Sequence, residues 1–371
     1  MATPERIPFV DLHAQYLAHK AEFDAALQRV IERSAYIGGE YVRRFETEFA
    51  AACGAKHCVA VGNGTDAIYV VLTMLGVGRG DEVITTASSW ISTSETISQA
   101  GATPVFVDVD EYGNIDPALI ERAVTPRTRA VIPVHLYGQA ARMTEIAAIC
   151  ARNGLLLVED CAQAHLARFA GRPVGTFGRA ATFSFYPGKN LGAYGDAGAI
   201  ITDDEEFAKR CRMYANHGAL VKHEHVMEGI NSRLDGLQAS LLSAKLPHLA
   251  GWTAARRRVA AQYDAALAGI PEVTTPAVHP EATHVYHLYV IRAEGRDALR
   301  DALTAEGIEC AIHYPRALPL LPAYARLGVG PADIPRAAAN QSRILSLPIY
   351  PEMPARYVER VAAAIRRHYG R

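Results

Sequence analysis

Short apolar runs alternate with amphipathic segments through much of the chain, between about Lys56 and Thr202. The apolar runs have the length of strands and are Cys58–Val61, Val83–Thr85, Pro104–Val107, Ala130–Val134 and Leu155–Val158. The segments between them carry apolar residues at helical spacing, as in Asp66–Leu75, Ser92–Ala100 and Met143–Arg152. Strands that are apolar on both faces and separated by helices predict a large α/β domain with a mostly parallel central sheet. A helical region at Asp24–Glu46 precedes the first strand, and we expect it to pack across the small domain or a partner subunit.

The pattern changes in the last third of the chain. A long helix is predicted from Asp235 to about Leu267, and Pro247 should bend it because proline cannot donate to the helical ladder. The remaining elements are those of a small α+β domain, with strands at Tyr286–Ile291 and Glu309–Ile312 and helices at Arg296–Glu306 and Pro354–Tyr369. Because single cores stop growing at roughly 250–300 residues, we expect a large domain over residues 1–250 and a small C-terminal domain over residues 251–371.

Charge and composition narrow the classes of partner. The chain has 38 basic and 39 acidic residues and a net charge of −1, so no overall field favours nucleic acid or an anionic membrane. No apolar stretch approaches the roughly 20 residues of a membrane span, and Met1–Pro8 lacks the layout of a signal peptide, so we expect a cytoplasmic protein. The six cysteines form no C-x-x-C pair, which favours free buried thiols. Three histidines lack acidic or cysteine partners at ligand spacing, so we expect no metal; they are His217, His223 and His225.

One lysine, Lys189, is placed like a reactive amine. It lies on a Pro/Gly turn entered from the strand-like run Ala181–Phe185, and a partly buried amine of lowered pKa can attack a carbonyl. Such a lysine forms a Schiff base with pyridoxal phosphate, whose ring nitrogen takes an acidic partner. Asp160 ends a predicted parallel strand, at the edge where α/β sheets bind ligands, and could be that partner. Taken singly, a structural lysine and a helix-capping carboxylate are the alternatives.

Two further motifs fit an aromatic phosphate ligand. Gly62–Ala67 opens a helix directly after the first strand, where backbone N–H groups and the helix N-terminus can hold a phosphate. The alternative there is a plain turn with Thr65 or Asp66 as the helix cap. Trp90 could stack on an aromatic ring or fill the core, and Gln163 could hydrogen-bond a ring hydroxyl.

Together these motifs resemble the DegT/DnrJ/EryC1/StrS sugar aminotransferases, which are fold-type I PLP enzymes. The resemblance covers nearly the whole chain and rests on the order and spacing of Tyr36–Gly39, Gly62–Ala67, Glu159–Ala164, Ser184–Gly192, Asn231–Asp235 and His313–Pro315. It implies a pyridoxal 5'-phosphate site formed by Gly64, Thr65, Asp66, Trp90, Asp160, Gln163, Ser184, Lys189 and Asn231. It also implies that Lys189 is catalytic. Asn231 would reach the phosphate of the neighbouring subunit, so that a homodimer shares its active sites.

The resemblance further implies the reaction. Some members carry histidine in place of Lys189 and are dehydratases, so the lysine favours amino transfer from L-glutamate, or L-glutamine, to a nucleotide-linked keto sugar. The segment Tyr186–Ala193 resembles that of members acting on 3-keto sugars, including 6-deoxy sugars, and favours these substrates. Expected substrate contacts are Tyr186, Asn190, Arg233, His313 and Tyr314; a surface arginine and a core histidine are the alternatives for two of them. A 4-keto sugar or cyclitol aminotransferase, a PLP-dependent sugar dehydratase and a PLP-binding regulatory protein stay open.

Overall fold

The computed structural model describes residues 5–370. The first half of the segment Met1–Pro8, which we expect not to be a signal peptide, therefore lies outside the described residues. The described strands form a seven-stranded sheet, a three-stranded sheet and a two-stranded ribbon. In chain order they are β1 (His57–Val61), β2 (Glu82–Thr86), β3 (Thr103–Val107), β4 (Thr128–Ile132), β5 (Leu156–Asp160), β6 (Arg168–Phe169), β7 (Arg172–Pro173), β8 (Ala180–Ser184), β9 (Gly198–Thr202), β10 (Val273–Thr274), β11 (Tyr289–Ala293) and β12 (Ile344–Leu347).

The large sheet is mostly parallel, which confirms the predicted fold class. Its order is β1-β9-β8-β5-β4-β2-β3, and only β9 runs antiparallel to its two neighbours. β2 and β9 are buried along their whole length because helices cover both faces. The parallel strands therefore end at one edge, where β5 finishes at Asp160 and β8 at Ser184.

The described helices surround both sheets. In chain order they are α1 (Leu12–Ala18), α2 (Lys20–Glu32), α3 (Gly39–Cys53), α4 (Gly64–Met74), α5 (Ser92–Gln99), α6 (Pro117–Ala123), α7 (Met143–Asn153), α8 (Glu205–Tyr214), α9 (Gly236–Lys245), α10 (Leu249–Leu267), α11 (Arg296–Ala305), α12 (Pro335–Asn340) and α13 (Ala355–His368). Short 3-10 turns lie at Leu136–Gly138, Leu246–His248, Leu318–Leu320 and Pro322–Leu327. The predicted bend of the long helix is confirmed, since a 3-10 turn containing Pro247 separates α9 from α10.

The predicted N-terminal helix is two helices, α2 and α3. They separate at Gly38, whose φ of +62° is one that residues with a side chain rarely adopt. Both pack mainly on α9, and α3 also packs on β1. The expectation that this region crosses the small domain is therefore wrong: the apolar face of α3, with Phe45 and Phe49, is buried against Phe183 and Phe185 at the large sheet. Contact with a partner subunit stays a prediction.

The small sheet is antiparallel, with order β10-β11-β12. The predicted strand at Glu309–Ile312 is wrong, because only Ala311 pairs there, through a single bridge to Ser346 of β12. After this bridge the chain continues at His313 into the lining of the cavity described below. β12 forms its regular pairing with β11 instead, although the two strands are far apart in the sequence. Among the described residues, no helix combines the length and apolar character needed to cross a membrane.

A second core lies between the small sheet and α10, α11 and α13. The N-terminal segment belongs to it: Ile7 is fully buried and pairs in parallel with Ile308. Near the predicted boundary at residue 250, Trp252 still packs with Phe23 and Leu241, beside the large domain. The exact division of the domains stays a prediction.

Candidate active site

A cavity of about 560 Å³ opens at the carboxyl edge of the large sheet and is also lined by residues of the second core. The sequence-predicted residues that line it are Gly64, Thr65, Trp90, Asp160, Gln163, Ser184, Tyr186, Lys189, His313 and Tyr314. They come from the turns after β1, β2 and β8, from the end of β5 and the turn that follows it, and from the segment after the Ala311 bridge. The structure thus brings together ten residues that are spread over 250 positions of the sequence.

Lys189 lies on the turn that follows β8. Its backbone N–H donates to the carbonyl of Tyr186 at 2.8 Å, which closes the turn. Burial lowers the pKa of the Lys189 amine from 10.5 to about 8, while the charge of Asp160 acts in the opposite direction. An appreciable share of the amine is therefore neutral, and nucleophilic, near neutral pH.

Asp160 is only 4 % exposed and is held by two fixed donors. One carboxylate oxygen accepts a hydrogen bond from the Thr93 hydroxyl at 2.8 Å, and the other accepts from the backbone N–H of Ala162 at 3.1 Å. Thr93 was missed by the sequence analysis. The clue to it is the hydroxyl-rich start of α5, Ser92–Ser94, which begins two residues after Trp90.

The N-terminus of α4 is capped by Asn63, whose side-chain oxygen accepts from the N–H of Asp66 at 2.8 Å. The alternative that Thr65 or Asp66 is the cap is therefore wrong. The Asp66 carboxylate accepts from the Ser232 hydroxyl at 2.6 Å, and Ser232 accepts from the Gly62 N–H at 3.0 Å. These bonds tie the segment around residue 232 to the β1–α4 turn.

Hydroxyl groups and helix N–H groups converge beside this cap. Thr65 Oγ1 lies 2.7 Å from Ser92 Oγ, and Ser184 ends the neighbouring strand β8. A Cβ at Gly64 would lie 2.7 Å from Cβ of Ser184, so only glycine allows α4 to start this close to β8. Because the first N–H groups of a helix have no intrahelical partner, this corner is suited to an anion such as phosphate.

Gln163 and two aromatic residues form one wall. Gln163 is buried; its oxygen accepts from the N–H of Tyr137 at 2.6 Å and its nitrogen donates to the hydroxyl of Tyr314 at 3.0 Å. Trp90 is 58 % exposed, so the alternative of a core tryptophan is wrong. Its ring lies 5.7 Å from that of Tyr314, at 45° between the ring planes.

His313 lies beside Tyr314 in the lining, on the side of the small sheet, and the centroids of the two rings are 5.5 Å apart. Its ring stacks on Phe9 at 5.7 Å between centroids, and Nδ1 is 2.8 Å from the Ser346 hydroxyl. Burial, and secondarily the charge of Lys189, lowers the pKa of His313 to about 4. The imidazole is therefore neutral at physiological pH.

Four predicted contact residues do not line this cavity: Asp66, which is held by Ser232, and Asn190, Asn231 and Arg233. Asn190 is buried behind it and donates to the carbonyl of Val285 at 3.0 Å. Asn231 and Arg233 are exposed, and Arg233 donates to the side chain of Asn216 at 3.2 Å. Their roles toward a ligand stay predictions.

Two groups of side chains among residues 5–370 have the spacing of metal ligands, and neither includes the three histidines singled out in the sequence. One is His19, Glu22 and His248 at the surface; the other is His135, Glu159 and Cys161 in the interior. The buried Glu159 already accepts from three backbone N–H groups, at 2.7–2.9 Å. That carboxylate acts as an anchor for the loop at residues 175–178.

Comparison with known proteins agrees with this geometry. The sequence pattern of the DegT/DnrJ/EryC1/StrS aminotransferase family matches residues 18–366. This chain belongs to that family. This aminotransferase is 45 % identical over 366 residues to the dTDP-3-amino-3,4,6-trideoxy-alpha-D-glucose transaminase of Streptomyces venezuelae, covering 98 % of this chain and 97 % of the relative.

Solved structures of aminotransferases have the same fold as this chain. The crystal structure of S. venezuelae DesV in complex with a ketimine intermediate superposes with a TM-score of 0.96, at 45 % identity and 99 % coverage of both chains. NtdA from Bacillus subtilis, with bound cofactor PMP, superposes with a TM-score of 0.90 at 29 % identity, covering 100 % of this chain and 86 % of NtdA. This aminotransferase is accordingly a PLP-dependent enzyme.

The residues of the cavity fit this cofactor. An amine of lowered pKa, a buried carboxylate and an anion-binding helix start share one cavity of about 560 Å³. Besides Thr93, the cavity is lined by four residues that were not expected from the sequence: Phe9, Ser92, Arg256 and His287. Ser92 belongs to the hydroxyl-rich start of α5, whereas no local motif marks Phe9, Arg256 or His287, because these three reach the cavity through the packing of distant elements.

Proposed function

We propose that this aminotransferase moves the amino group of L-glutamate to the 3-keto group of a nucleotide-linked sugar, a 6-deoxy sugar being one case. The observation that carries the proposal is the buried Lys189 amine in the same cavity as the fixed Asp160 carboxylate. The named activities of the relatives, which concern 3-amino sugars, support the position on the ring. The product would be an amino sugar for glycan or natural-product synthesis.

The residues of the cavity would have different roles in this reaction. Bound PLP supplies an electron sink for the carbon that loses its proton. Asp160, held by Thr93 and the Ala162 N–H, would keep a proton on the ring nitrogen. The helix start at Gly64 and Thr65 would hold the phosphate together with Ser184, and Trp90 and Gln163 would hold the ring.

Lys189 would have two roles. Its amine would hold the cofactor through its carbonyl and, once free, would act as the base that takes a proton from the donor carbon and later returns it. A pKa of about 8 suits both directions of this transfer near neutral pH. The lining side chains Tyr186, His313 and Tyr314 would contact the sugar.

Incubation of the PLP-loaded protein with L-glutamate or L-glutamine and a panel of 3-keto and 4-keto nucleotide sugars, followed by mass analysis of the products, tests this proposal. We expect an amino sugar from the 3-keto substrates, and none from a Lys189→Ala control. A product that has lost water would indicate a dehydratase. Absence of turnover with a cofactor that still reacts with the donor would favour a binding protein.

We infer that the enzyme is a homodimer with shared sites and is cytoplasmic. Asn231 and Arg233 are exposed beside exposed apolar residues: Ile37, which is 58 % exposed and bridges to Asp235, and Val226, which lies in the loop that ends at Asn231. A partner subunit would cover such a surface. The described cysteines are all free, which suits a reducing compartment.

Mixing two inactive variants tests the shared site. Lys189→Ala chains and Asn231→Ala, Arg233→Ala chains should together recover activity, because a mixed dimer has one site with both defects and one with neither. Subunit exchange is first verified with two different tags. Verified mixed dimers that remain inactive would show that Asn231 and Arg233 act within their own subunit.

A further inference from the structure

Arg256 is a buried guanidinium that lines the active-site cavity. It lies on α10, is 4 % exposed, and donates from Nη1 to the backbone carbonyls of Tyr286 at 3.2 Å, His287 at 3.4 Å and Ile349 at 3.0 Å. Within residues 5–370, the remaining guanidinium nitrogens, Nε and Nη2, have no protein acceptor. One corner of the group is thus fixed to the backbone, and the Nε–Nη2 edge has the shape that accepts a carboxylate through two parallel hydrogen bonds.

This cation also lacks a counter-ion in the part of the chain that the structure describes. The negative charge of Glu352 acts to raise the pKa of Arg256, but the two side chains form no ion pair within 4.0 Å. Burial lowers the pKa of Arg256 to about 10, so the guanidinium stays protonated at neutral pH. A buried charge is costly unless it is paired, so a ligand anion is the natural complement.

The neighbouring His287 side chain adds a nitrogen for hydrogen bonding and no negative charge. His287 lines the same cavity, and its buried Nδ1 has no hydrogen-bond partner. Its pKa is lowered well below 6.5, first by burial and then by the positive charges of Lys189 and Arg256. Two carboxylates line the cavity, Asp160 and Asp196; Asp160 is already held by Thr93 and a backbone N–H, and neither forms an ion pair with Arg256 within 4.0 Å. The part of the cavity around Arg256 and His287, the Arg256 pole, therefore carries a positive charge without an ion pair. It adjoins the second core, whereas the phosphate corner at α4 adjoins the core of the large sheet.

We propose that the Nε–Nη2 edge of Arg256 is the receptor for a carboxylate of the amino donor, with the His287 ring as a second contact. The proposal rests on the proposed function, because it assigns the donor-binding part of the same cavity. It also gives a reason for a dicarboxylic donor: one carboxylate meets the Arg256 pole while the amino-bearing carbon faces Lys189. A ligand with a neutral end there would leave the guanidinium without an anion.

Arg257 provides a matched control on the next position of the same helix. Its Nε donates to the carbonyl of His284 at 3.0 Å, in the segment that Arg256 also anchors, but Arg257 is exposed and lies outside the cavity lining. A purely structural role in holding this segment would therefore make Arg257→Gln and Arg256→Gln similar. A ligand role would affect Arg256 variants alone.

The experiment uses PLP-loaded full-length protein. Calorimetry measures binding of glutarate, a dicarboxylate without an amino group, and stopped-flow absorbance measures the half-reactions with L-glutamate and with the amino sugar. We expect Arg256→Gln to weaken glutarate binding and to raise the apparent Kd for L-glutamate about 10- to 100-fold, with the amino-sugar half-reaction within about twofold of the wild type. Arg256→Lys, which keeps the charge but loses the fork, should be intermediate, and Arg257→Gln should match the wild type.

Three outcomes would overturn the inference. The first is Arg256→Gln and Arg257→Gln behaving alike in every arm. The second is Arg256→Gln weakening the amino-sugar half-reaction instead, which would assign the subsite to the nucleotide diphosphate. The third is unchanged glutarate binding in both Arg256 variants, of which Arg256→Lys serves where the glutamine variant fails to fold. If the wild type binds glutarate through Arg256 but aminates no keto sugar, the subsite stands and the proposed function fails.

Discussion

The amine of Lys189 should titrate far below a surface lysine, and this can be measured without the cofactor. Its pKa is lowered from 10.5 to about 8 by burial. At pH 7 the neutral fraction is then about 10 %, compared with about 0.03 % for an amine of ordinary pKa, a difference of about 300-fold. Lys20 is an internal reference, because its hydrogen bond to Asp24 raises the pKa of that exposed amine.

Trace reductive methylation of the cofactor-free protein over a series of pH values, read by peptide mass spectrometry, gives the pH of half-maximal rate for each lysine. The shape of the pH curve is used rather than its height, so that limited access of the reagent to the cavity does not affect the comparison. We expect a midpoint near pH 8 for Lys189 and one above 10.5 for Lys20.

Asp160→Asn tests the electrostatic part of the argument. The negative charge of Asp160 stabilises the ammonium form and so raises the pKa of Lys189 against the effect of burial. Its removal should therefore move the Lys189 midpoint to still lower pH. A wild-type midpoint at or above that of Lys20, or a midpoint that rises in Asp160→Asn, would refute the reasoning.

Three other changes have expected outcomes. Gly64→Ala places a Cβ 2.7 Å from that of Ser184, so PLP affinity in a fluorescence titration should fall at least about tenfold; an unchanged Kd would contradict the close approach of α4 to β8. Thr93→Val removes a charge-assisted hydrogen bond to Asp160, and we expect denaturant unfolding to show a loss of about 1.5–3 kcal/mol with slower turnover; full turnover would mean that Asp160 needs no support. Phe49→Ala empties a fully buried site in the core, with an expected loss of about 3–5 kcal/mol in the free energy of unfolding; a loss below about 1 kcal/mol would show that the core refills the space.

Elements with local signals could be predicted from the sequence. The strands of the large sheet carry continuous apolar runs, and the helix bend follows from Pro247 alone. Lys189 and Asp160 were recognisable because a turn motif and a strand end mark them. The capping of α4 by Asn63 was missed because three polar residues within four positions, Asn63, Thr65 and Asp66, compete for that role.

Features that depend on distant packing could not be predicted. β12 forms a strand because β11 lies beside it, whereas the equally apolar Glu309–Ile312 finds only a bridge. Arg256 looks like an ordinary helical arginine, one of three in a row on α10. Its place in the cavity depends on how α10 packs on the second core, and no local pattern contains that information.

The N-terminal segment has a consequence for protein engineering. Ile7 pairs with Ile308, the Phe9 N–H donates to the Glu309 carboxylate at 2.9 Å, and Phe9 and Val10 line the cavity beside His313. Trimming the chain back to its first helix would therefore remove part of the binding site rather than a dispensable tail. Affinity tags belong at the carboxyl end, and saturation libraries aimed at altered substrate scope should include positions 9 and 10.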